Sequence, residues 1–369
     1  MKSNMRGRRA MAVLVPAAVT LIVACGCASS NPYFDGNKPH HRPDGFQNID
    51  PKAHMPRALG EFLRWQRERW NRDIAPPKMD LSVVPAQLDA LRANRERFSI
   101  TWIGHATALV QLGGINVLTD PQFSERAAPV QWAGPKRWQA PGIAIKDLPH
   151  IDVVVISHNH YDHLDLQSVR DLAVQAGGAP LFVVPLGTEK WMAAIGIDNV
   201  KALDWWGSVD VRNSFGTATV HMTPLQHWTR RTLTDTMLCL WGGYVVEAGE
   251  GAARRSFFFG GDTGYSAEHF GEIGRRFASR GGIDLGVIPI GGYEPRWFMS
   301  QQHVNPEEAV NIHRDIGARR SLGVHWGTFQ LTDEPLDQAV TDLEIARRKF
   351  AMKDSDFFVV RHGQTVWLD

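Results

Sequence analysis

Cysteine is scarce, with three residues in a chain of 369, at positions 25, 27 and 239. That excludes a disulfide scaffold and leaves stability to a buried core. Strong charge of either sign is also missing: Lys and Arg number 40 against 39 Asp and Glu, a formal +1. Four of the basic residues, Lys2, Arg6, Arg8 and Arg9, fall in the first 24 positions, which hold no acid. The rest therefore carries 36 basic against 39 acidic residues, a formal −3. A mildly acidic body lacks the basic face that displaces counterions from nucleic acid, so no nucleic-acid partner is expected. There is no internal repeat, no low-complexity tract and no heptad pattern. Coiled coils and disordered chains are thereby excluded. What is present is ordinary globular material, 43% apolar and 21% charged, enough for a large core.

The longest apolar stretch, Ala10–Ala24, is too short to span a bilayer. It follows the four basic residues and ends in Ile-Val-Ala-Cys. Residues 1–24 read as a bacterial export signal ending in a lipobox. Cleavage before Cys25 would free its thiol for lipid attachment, with Cys27 the alternative. The residues after either cysteine, Gly26 and Ala28, are not the Asp that favours the inner membrane. A lipid-anchored protein of the outer membrane, facing the periplasm, is the expectation.

Residues 25–50 hold prolines and little apolar pattern, and read as a lipidated tether in which His40 and His41 are solvated. Residues 51–97 carry two short helical patterns. Leu59, Phe62, Leu63 and Trp70 share one helical face, and Leu88 and Leu91 mark a second helix. From Phe98 the character changes. FSITWIGHATALVQLGGINVLTDP reads as a β-hairpin around Gly113-Gly114. Strands and helices then mix as far as a last helix over Leu336–Phe350 and a closing pair of strands in FFVVRHGQTVWL. Cys239, in TMLCLWGGYVV, reads as a buried strand residue. Residues 98–369 are expected to form one domain, because the chemically interesting residues are spread over them and need one another.

The strongest signal is Ile156-Ser157-His158-Asn159-His160-Tyr161-Asp162-His163, where three imidazoles and a carboxylate fall within six residues. The preceding IDVVVIS is a short apolar β-branched run, the mark of a buried strand. The cluster therefore begins where a strand ends, and strand ends in layered α/β sheets collect ligand sites. His158 and His160 can converge on one ion, while Asp162 and His163 can face a second. Three further segments repeat the placement. His227 follows ATVHMTPLQ, Asp262 follows SFFFGG, and His325 ends SLGV. Imidazole nitrogen and carboxylate oxygen suit Zn²⁺, and also Fe or Mn at some cost in affinity. Asp120 in VLTDP is placed to orient a ligand imidazole, and His105 in WIGHATAL to face the site. Asn305-Pro306-Glu307-Glu308 reads as a helix start with a capping box, which sets His303 on the loop before it. IGGYEPRWFMS offers Tyr293, Arg296, Trp297, Phe298 and Met299 as an apolar loop with one guanidinium, suited to an acyl chain and a phosphate.

The HxHxDH arrangement of His158, His160, Asp162 and His163, followed in order by His227, Asp262 and His325, resembles the metallo-β-lactamase fold superfamily. The resemblance implies an α/β fold, a four-layer αββα sandwich, with a dinuclear site at one edge of two sheets. It implies His158, His160 and His227 on one ion, Asp162, His163 and His325 on the other, and Asp262 bridging. Cys239 does not match the late cysteine of the true β-lactamases. TWIGHATALVQ, LTDPQFSERAAPVQWAGPKRWQAPG, ISHNHYDHLD, LQHWTRR, GGDTGY, QHVNPEEAV and HWGTF together resemble the N-acylphosphatidylethanolamine-hydrolysing phospholipase D family. These segments span most of Phe98 to Phe329. The implied activity is phospholipase D-type cleavage of a phospholipid by a hydroxide shared between two zinc-class ions. Asp162 would take a proton, and His303, matching a histidine at the substrate end, would contact phosphate. No HxK, SxxK or Gly-Lys P-loop motif points to another mechanism. Two rivals stand beside this reading: a lactonase or soluble-substrate phosphodiesterase on the same fold, and a non-catalytic envelope lipoprotein.

Overall fold

Val153, Val154 and Val155 show how this chain builds its layers. They form a three-residue strand in which alternate side chains face opposite cores. Val153 and Val155 join the core between two sheets, whereas Val154 and Ile156 join a second core beneath helices. A strand covered on both faces reads as continuous apolar sequence rather than alternation. The computed structural model describes residues 31–53 and 55–368.

Sixteen strands and eight α-helices are formed among the described residues. The first sheet has the order β16-β3-β4-β5-β6-β7-β8. Its strands are β3 (Ser99–Gly104), β4 (Thr107–Leu112), β5 (Ile115–Thr119), β6 (Val153–Val155), β7 (Leu181–Pro185), β8 (Val200–Leu203) and β16 (Thr365–Trp367). The second has the order β15-β14-β13-β12-β11-β10-β9. It contains β9 (Ser208–Arg212), β10 (Thr217–Thr223), β11 (Gly243–Ala248), β12 (Arg255–Phe259), β13 (Ile283–Pro289), β14 (Ala318–Val324) and β15 (Phe357–Phe358). Each sheet is antiparallel in one part and parallel in the other, from β5 to β8 and from β12 to β15. A minimal hairpin, β1 (His41–Arg42) and β2 (Gly45–Phe46), lies apart.

The helices are α1 (Leu59–Trp70), α2 (Leu88–Ala93), α3 (Leu166–Ala173), α4 (Thr188–Ala194), α5 (Ala267–Ala278), α6 (Arg296–Met299), α7 (Pro306–Asp315) and α8 (Gln338–Lys349). Val169, Leu172 and Met192 of α3 and α4 cover the outer face of the first sheet. Phe270, Ile273, Phe277, Val310 and Ile312 of α5 and α7 cover the second. The result is the αββα sandwich. The two strands expected to close the chain are β15 and β16, but they sit at the edges of different sheets. The hairpin expected at Gly113-Gly114 is β4–β5, extended by β3 into a three-stranded meander.

Three expectations need correction. The first is the tether: from Asn31 onward the chain is docked, not free. Phe46 is buried in the core. His40 Nε2 and His41 Nε2 lie 2.8 and 3.0 Å from the two oxygens of Asp204, and Lys38 Nζ lies 2.6 Å from Oδ2. Both histidines are buried rather than solvated. Burial alone would raise the Asp204 carboxyl, but His40 and Lys38 hold it well below the usual carboxylate range. The second is the face of α1: Leu59 is 71% and Trp70 88% exposed, and only Trp65 of this helix is buried. The third is Cys239, which lies at a bend before β11 and is half-buried. Burial pushes its thiol up to about 11, which disfavours the thiolate. The export signal, with Cys25 and Cys27, falls outside the described residues. No helix among the described residues is long and apolar enough to cross a membrane.

Candidate metal centre

Parallel strands end on one edge of the sandwich, and the loops beyond them meet there. The loop after β6 carries His158, His160, Asp162 and His163, and the residue after β5 is Asp120. His227 follows β10, Asp262 follows β12 and His325 follows β14. His105 sits in the β3–β4 turn, and His303 between α6 and α7. His105, Asp120 and His325 have φ of +53°, +28° and +66°. Left-handed backbone in non-glycine residues costs on the order of 1–3 kcal/mol each and gathers at functional sites. Gly261 supplies the close approach before Asp262: at its φ of +47° a Cβ would lie 2.5 Å from that of Ser157.

The seven residues expected as ligands come together in two groups. The ligand atoms of His158, His160 and His227 lie within 4.8 Å of one another. His160 Nδ1 stands 2.9 Å from His158 Nε2 and 3.4 Å from His227 Nε2. The second group is Asp162, His163 and His325, with His105 at its side. Asp162 Oδ2 is 3.4 Å from His163 Nε2, 3.7 Å from His325 Nε2 and 3.0 Å from His105 Nε2. Asp262 lies between the groups. Its Oδ2 is 4.0 Å from both His158 Nε2 and His227 Nε2, and 3.0 Å from His163 Nε2; its Oδ1 is 3.0 Å from His325 Nε2.

His160 Nε2, His163 Nε2, His325 Nε2, His303 Nδ1 and Asp262 Oδ1 are buried without a hydrogen-bond partner. Orphaned polar atoms at this density are costly unless something binds them. Their chemistry, imidazole and carboxylate facing inward, fits divalent cations. Electrostatics divides the two groups. Burial pushes His158 and His227 well below the ordinary imidazole value and His160 to about 4, so their lone pairs are free. At His163 and His325 burial acts the same way but is outweighed by Asp262 and Asp162. His163 is raised, and His325 stands at about 9.

Asp120 orients the ligands: Oδ2 accepts from His163 Nδ1 at 2.6 Å and from Ser157 Oγ at 2.5 Å, while Oδ1 accepts from Ser157 N–H at 2.7 Å. Ser157 Oγ in turn lies 2.9 Å from His158 Nδ1. Two positioning groups escaped sequence reading. The Gln302 carbonyl lies 3.1 Å from His227 Nδ1. Arg231 donates to the carbonyls of Asn159 and Leu164 at 3.1 and 2.7 Å and stacks over Tyr161 and Trp191. It thus ties both ends of the ligand loop together. LQHWTRR was visible as a motif, but nothing in it separates this arginine from its neighbour Arg230.

A cavity of about 500 Å³ opens over the centre. Its floor includes His160, Asp162, Asp262, His303 and His325. Its walls include Leu59, Phe62 and Trp65 of α1 together with Phe298 and Met299, and Arg57 and Arg230 bring positive charge. Two expected substrate contacts are absent from it. Arg296 is locked onto Glu308 by two bonds of 2.9 and 2.7 Å and onto the His303 carbonyl at 2.8 Å. Tyr293 is buried, and its hydroxyl donates to Asp342 at 2.5 Å. Arg296 braces the loop that carries His303, and Tyr293 ties its own loop to α8. His303 itself reaches the cavity, its Nδ1 3.7 Å from Asp262 Oδ2.

A family model described as a beta-lactamase superfamily domain matches residues 115–326. The protein named N-acyl-phosphatidylethanolamine-hydrolyzing phospholipase D 1 of Caenorhabditis elegans is 40% identical over 274 residues, covering 72% of this chain and 74% of that one. The chain belongs to the metallo-β-lactamase superfamily, in its N-acylphosphatidylethanolamine-hydrolysing phospholipase D family. A mitochondrial protein of the same name from Saccharomyces cerevisiae is 35% identical over 254 residues, 69% of this chain and 53% of its own length. An uncharacterized protein of Mycobacterium tuberculosis is 36% identical over 315 residues, 83% and 78% of the two chains. Among solved structures, an isothiocyanate hydrolase from Delia radicum gut bacteria shares the fold, with TM-score 0.55 at 17% identity over 73% of this chain and 98% of that one. By this family and these relatives the protein is a metal-dependent hydrolase.

Proposed function

We propose that the protein is a phospholipase D-type phosphodiesterase that cleaves N-acylphosphatidylethanolamine, or a related phospholipid, with two zinc-class ions. The observation that carries this reading is the cavity: a floor of metal-ligating side chains under apolar walls with two arginines. A diester with an acyl chain needs both surfaces, whereas a small soluble substrate needs only the floor. The relatives named for this activity support it.

In this reading His158, His160 and His227 would hold one cation, and Asp162, His163 and His325 the other, with Asp262 serving both. Bound there, the pair would supply Lewis acidity toward a phosphoryl oxygen and toward water. The chain's own residues do the rest. Asp162 lines the cavity and is oriented through Oδ2 by His105, so it can accept a proton from water. His303, whose Nδ1 reaches the cavity floor 3.7 Å from Asp262 Oδ2, would contact a phosphoryl oxygen. Arg230 and Arg57 add positive potential for the phosphate. Water adds to phosphorus, the phosphorus–oxygen bond to the N-acylethanolamine breaks, that oxygen takes up the proton accepted by Asp162, and phosphatidate and N-acylethanolamine are the products. The apolar wall of α1 packs on the lipid and keeps water from its acyl part. The export segment extends the proposal to a lipid-anchored enzyme of the outer membrane, held by Cys25 beside its substrate.

Elemental analysis of the purified chain, beside turnover of N-acylphosphatidylethanolamine in mixed micelles, a lactone and a soluble phosphodiester, tests the reading. Two metal ions per chain and preference for the phospholipid are expected. Metal-replete protein that hydrolyses only lactone or only the soluble diester would make it another hydrolase of this fold. Silence on all three would make it a binding protein.

A further inference from the structure

His227 stands beyond the last residue of β10, where the ladder with β11 has already ended. Its backbone therefore needs partners from elsewhere, since buried peptide groups rarely go unpaired. Both come from one side chain, 179 positions away. Asn48 Nδ2 donates to the His227 carbonyl at 2.9 Å, and Asn48 Oδ1 accepts from the His227 N–H at 3.1 Å. A carboxamide used in this way reproduces the donor–acceptor pair that a neighbouring strand would offer. With the Gln302 carbonyl on Nδ1, His227 is held at three points, and its Nε2 is left facing the cluster.

Asn48 is itself fixed by the docked segment that carries it. Phe46 N–H donates to the Met237 carbonyl at 2.8 Å, and Phe46 is buried. Asn31 Nδ2 donates to the carbonyls of Arg42 and Gly45 at 3.1 and 2.7 Å. Lys38, His40 and His41 converge on Asp204. On the far side of Asn48, the Lys52 carbonyl accepts from Gln301 Nε2 at 2.8 Å, next to Gln302.

We propose that Asn48 is a positioning residue for His227, and that the docked segment around it is part of the metal centre rather than a spacer. The proposal rests on the reading that His158, His160 and His227 hold a cation. An imidazole ligand must be kept within about 0.5 Å of its productive position. Without the clamp, the His227 peptide groups lose both partners and the loop relaxes to find others, which moves Nε2.

The test compares full-length wild type with Asn48→Ala and Asn48→Asp. Each is loaded with zinc and followed by release to a chromophoric chelator, and each is also prepared with cobalt for its visible absorption. Circular dichroism reports folding. Asn48→Ala is expected to stay folded, to release one of two zinc ions about 10–100-fold faster, and to show an altered cobalt band. Asn48→Asp keeps the acceptor for the His227 N–H and loses the donor, so it also releases faster; it carries the comparison if Asn48→Ala does not fold. Lys136→Ala breaks an exposed ion pair with Glu125, away from the clamp and from the segment that carries it, and should release zinc as wild type does. Folded variants at position 48 with wild-type release and an unchanged cobalt band would overturn the proposal. Wild type that binds no zinc would instead overturn the metal reading beneath it.

Discussion

Replacing Asp120 by Asn changes one atom and no volume, yet it should disable the imidazole one hydrogen bond away. The carboxylate meets three donors: His163 Nδ1–H and Ser157 Oγ–H on Oδ2, and Ser157 N–H on Oδ1. A carboxamide offers one oxygen and one NH₂ group. The Ser157 N–H cannot turn, so the amide oxygen must stay with it and the NH₂ must take the place of Oδ2. Ser157 Oγ can rotate to accept, but His163 can accept only by moving its proton to Nε2. That nitrogen is the one facing Asp262 at 3.0 Å. A protonated Nε2 cannot ligate, so the second group falls from three protein ligands to two besides Asp262. Changes in groups that orient metal-bound imidazoles cost about 10–100-fold in affinity or activity, or about 1.4–2.7 kcal/mol. The assay pairs metal content after dialysis at fixed free zinc with kcat on N-acylphosphatidylethanolamine, and a thermal melt confirms folding. Asp120→Asn should retain one tightly held ion and lose most turnover. A folded variant holding two ions with wild-type affinity and kcat would refute the tautomer argument.

Three further outcomes are expected. Tyr293→Phe removes the bond to Asp342 and should lower stability by about 1–2 kcal/mol while leaving KM unchanged in a micellar assay; a KM effect without a stability loss would restore Tyr293 as a substrate contact. Phe62→Ala strips apolar surface from the cavity wall and should raise KM for long-chain phospholipid about fivefold, with hydrolysis of a soluble diester unaffected; equal effects on both substrates would show that α1 acts on the metal centre instead. Glu247, gripped by Arg254, Arg280 and His221, is held at about 2 because those partners outweigh the upward push of burial. A carboxyl lowered in the folded state stabilises fully above its unfolded value of 4.5, and that contribution drains away as pH falls through about 2. Glu247→Gln should therefore cost about 1–2 kcal/mol at pH 7, after discounting for the solvent around Arg280, and its deficit should shrink below pH 4.5 in denaturant titrations. A deficit independent of pH would count against the charge as its source.

The histidine–aspartate cluster was the most legible part of this protein because a strand end is a strong local signal. An apolar β-branched run sets direction and depth, and the first polar residues after it must emerge at the sheet edge. His158, His227, Asp262 and His325 are all announced this way, and their convergence needs only that the strands belong to two stacked sheets. The capping box of Asn305 and Glu308 was equally visible, being contained in four residues. The second use of Glu308 was not: it also clamps Arg296, 12 positions away, and no local pattern marks which cation a cap carboxylate will hold. The docking of residues 31–50 was hidden for a different reason. A two-residue hairpin has no period, and its hold on the body is one shared carboxylate, one buried ring and paired amides, none of which shows in hydrophobic patterning.

Helix α1 marks the limit of periodicity itself. Leu59, Phe62 and Leu63 do share a face, as their spacing predicts, but a stripe of apolar residues tells only that the face is better covered than wet. It does not say by what. Trp65, one turn on from Phe62 and in contact with its ring, packs on Phe298 at 5.0 Å between ring centroids and anchors the helix. Leu59 and Phe62 border the cavity instead of a core, and stay largely exposed. A helix buried through its stripe would leave the cavity floor beneath a lid of protein, closed to a phospholipid. Turned as it is, α1 gives up part of its own burial to provide an apolar wall. In the function proposed here the cover that this face lacks in the protein is supplied by the acyl chains of the substrate.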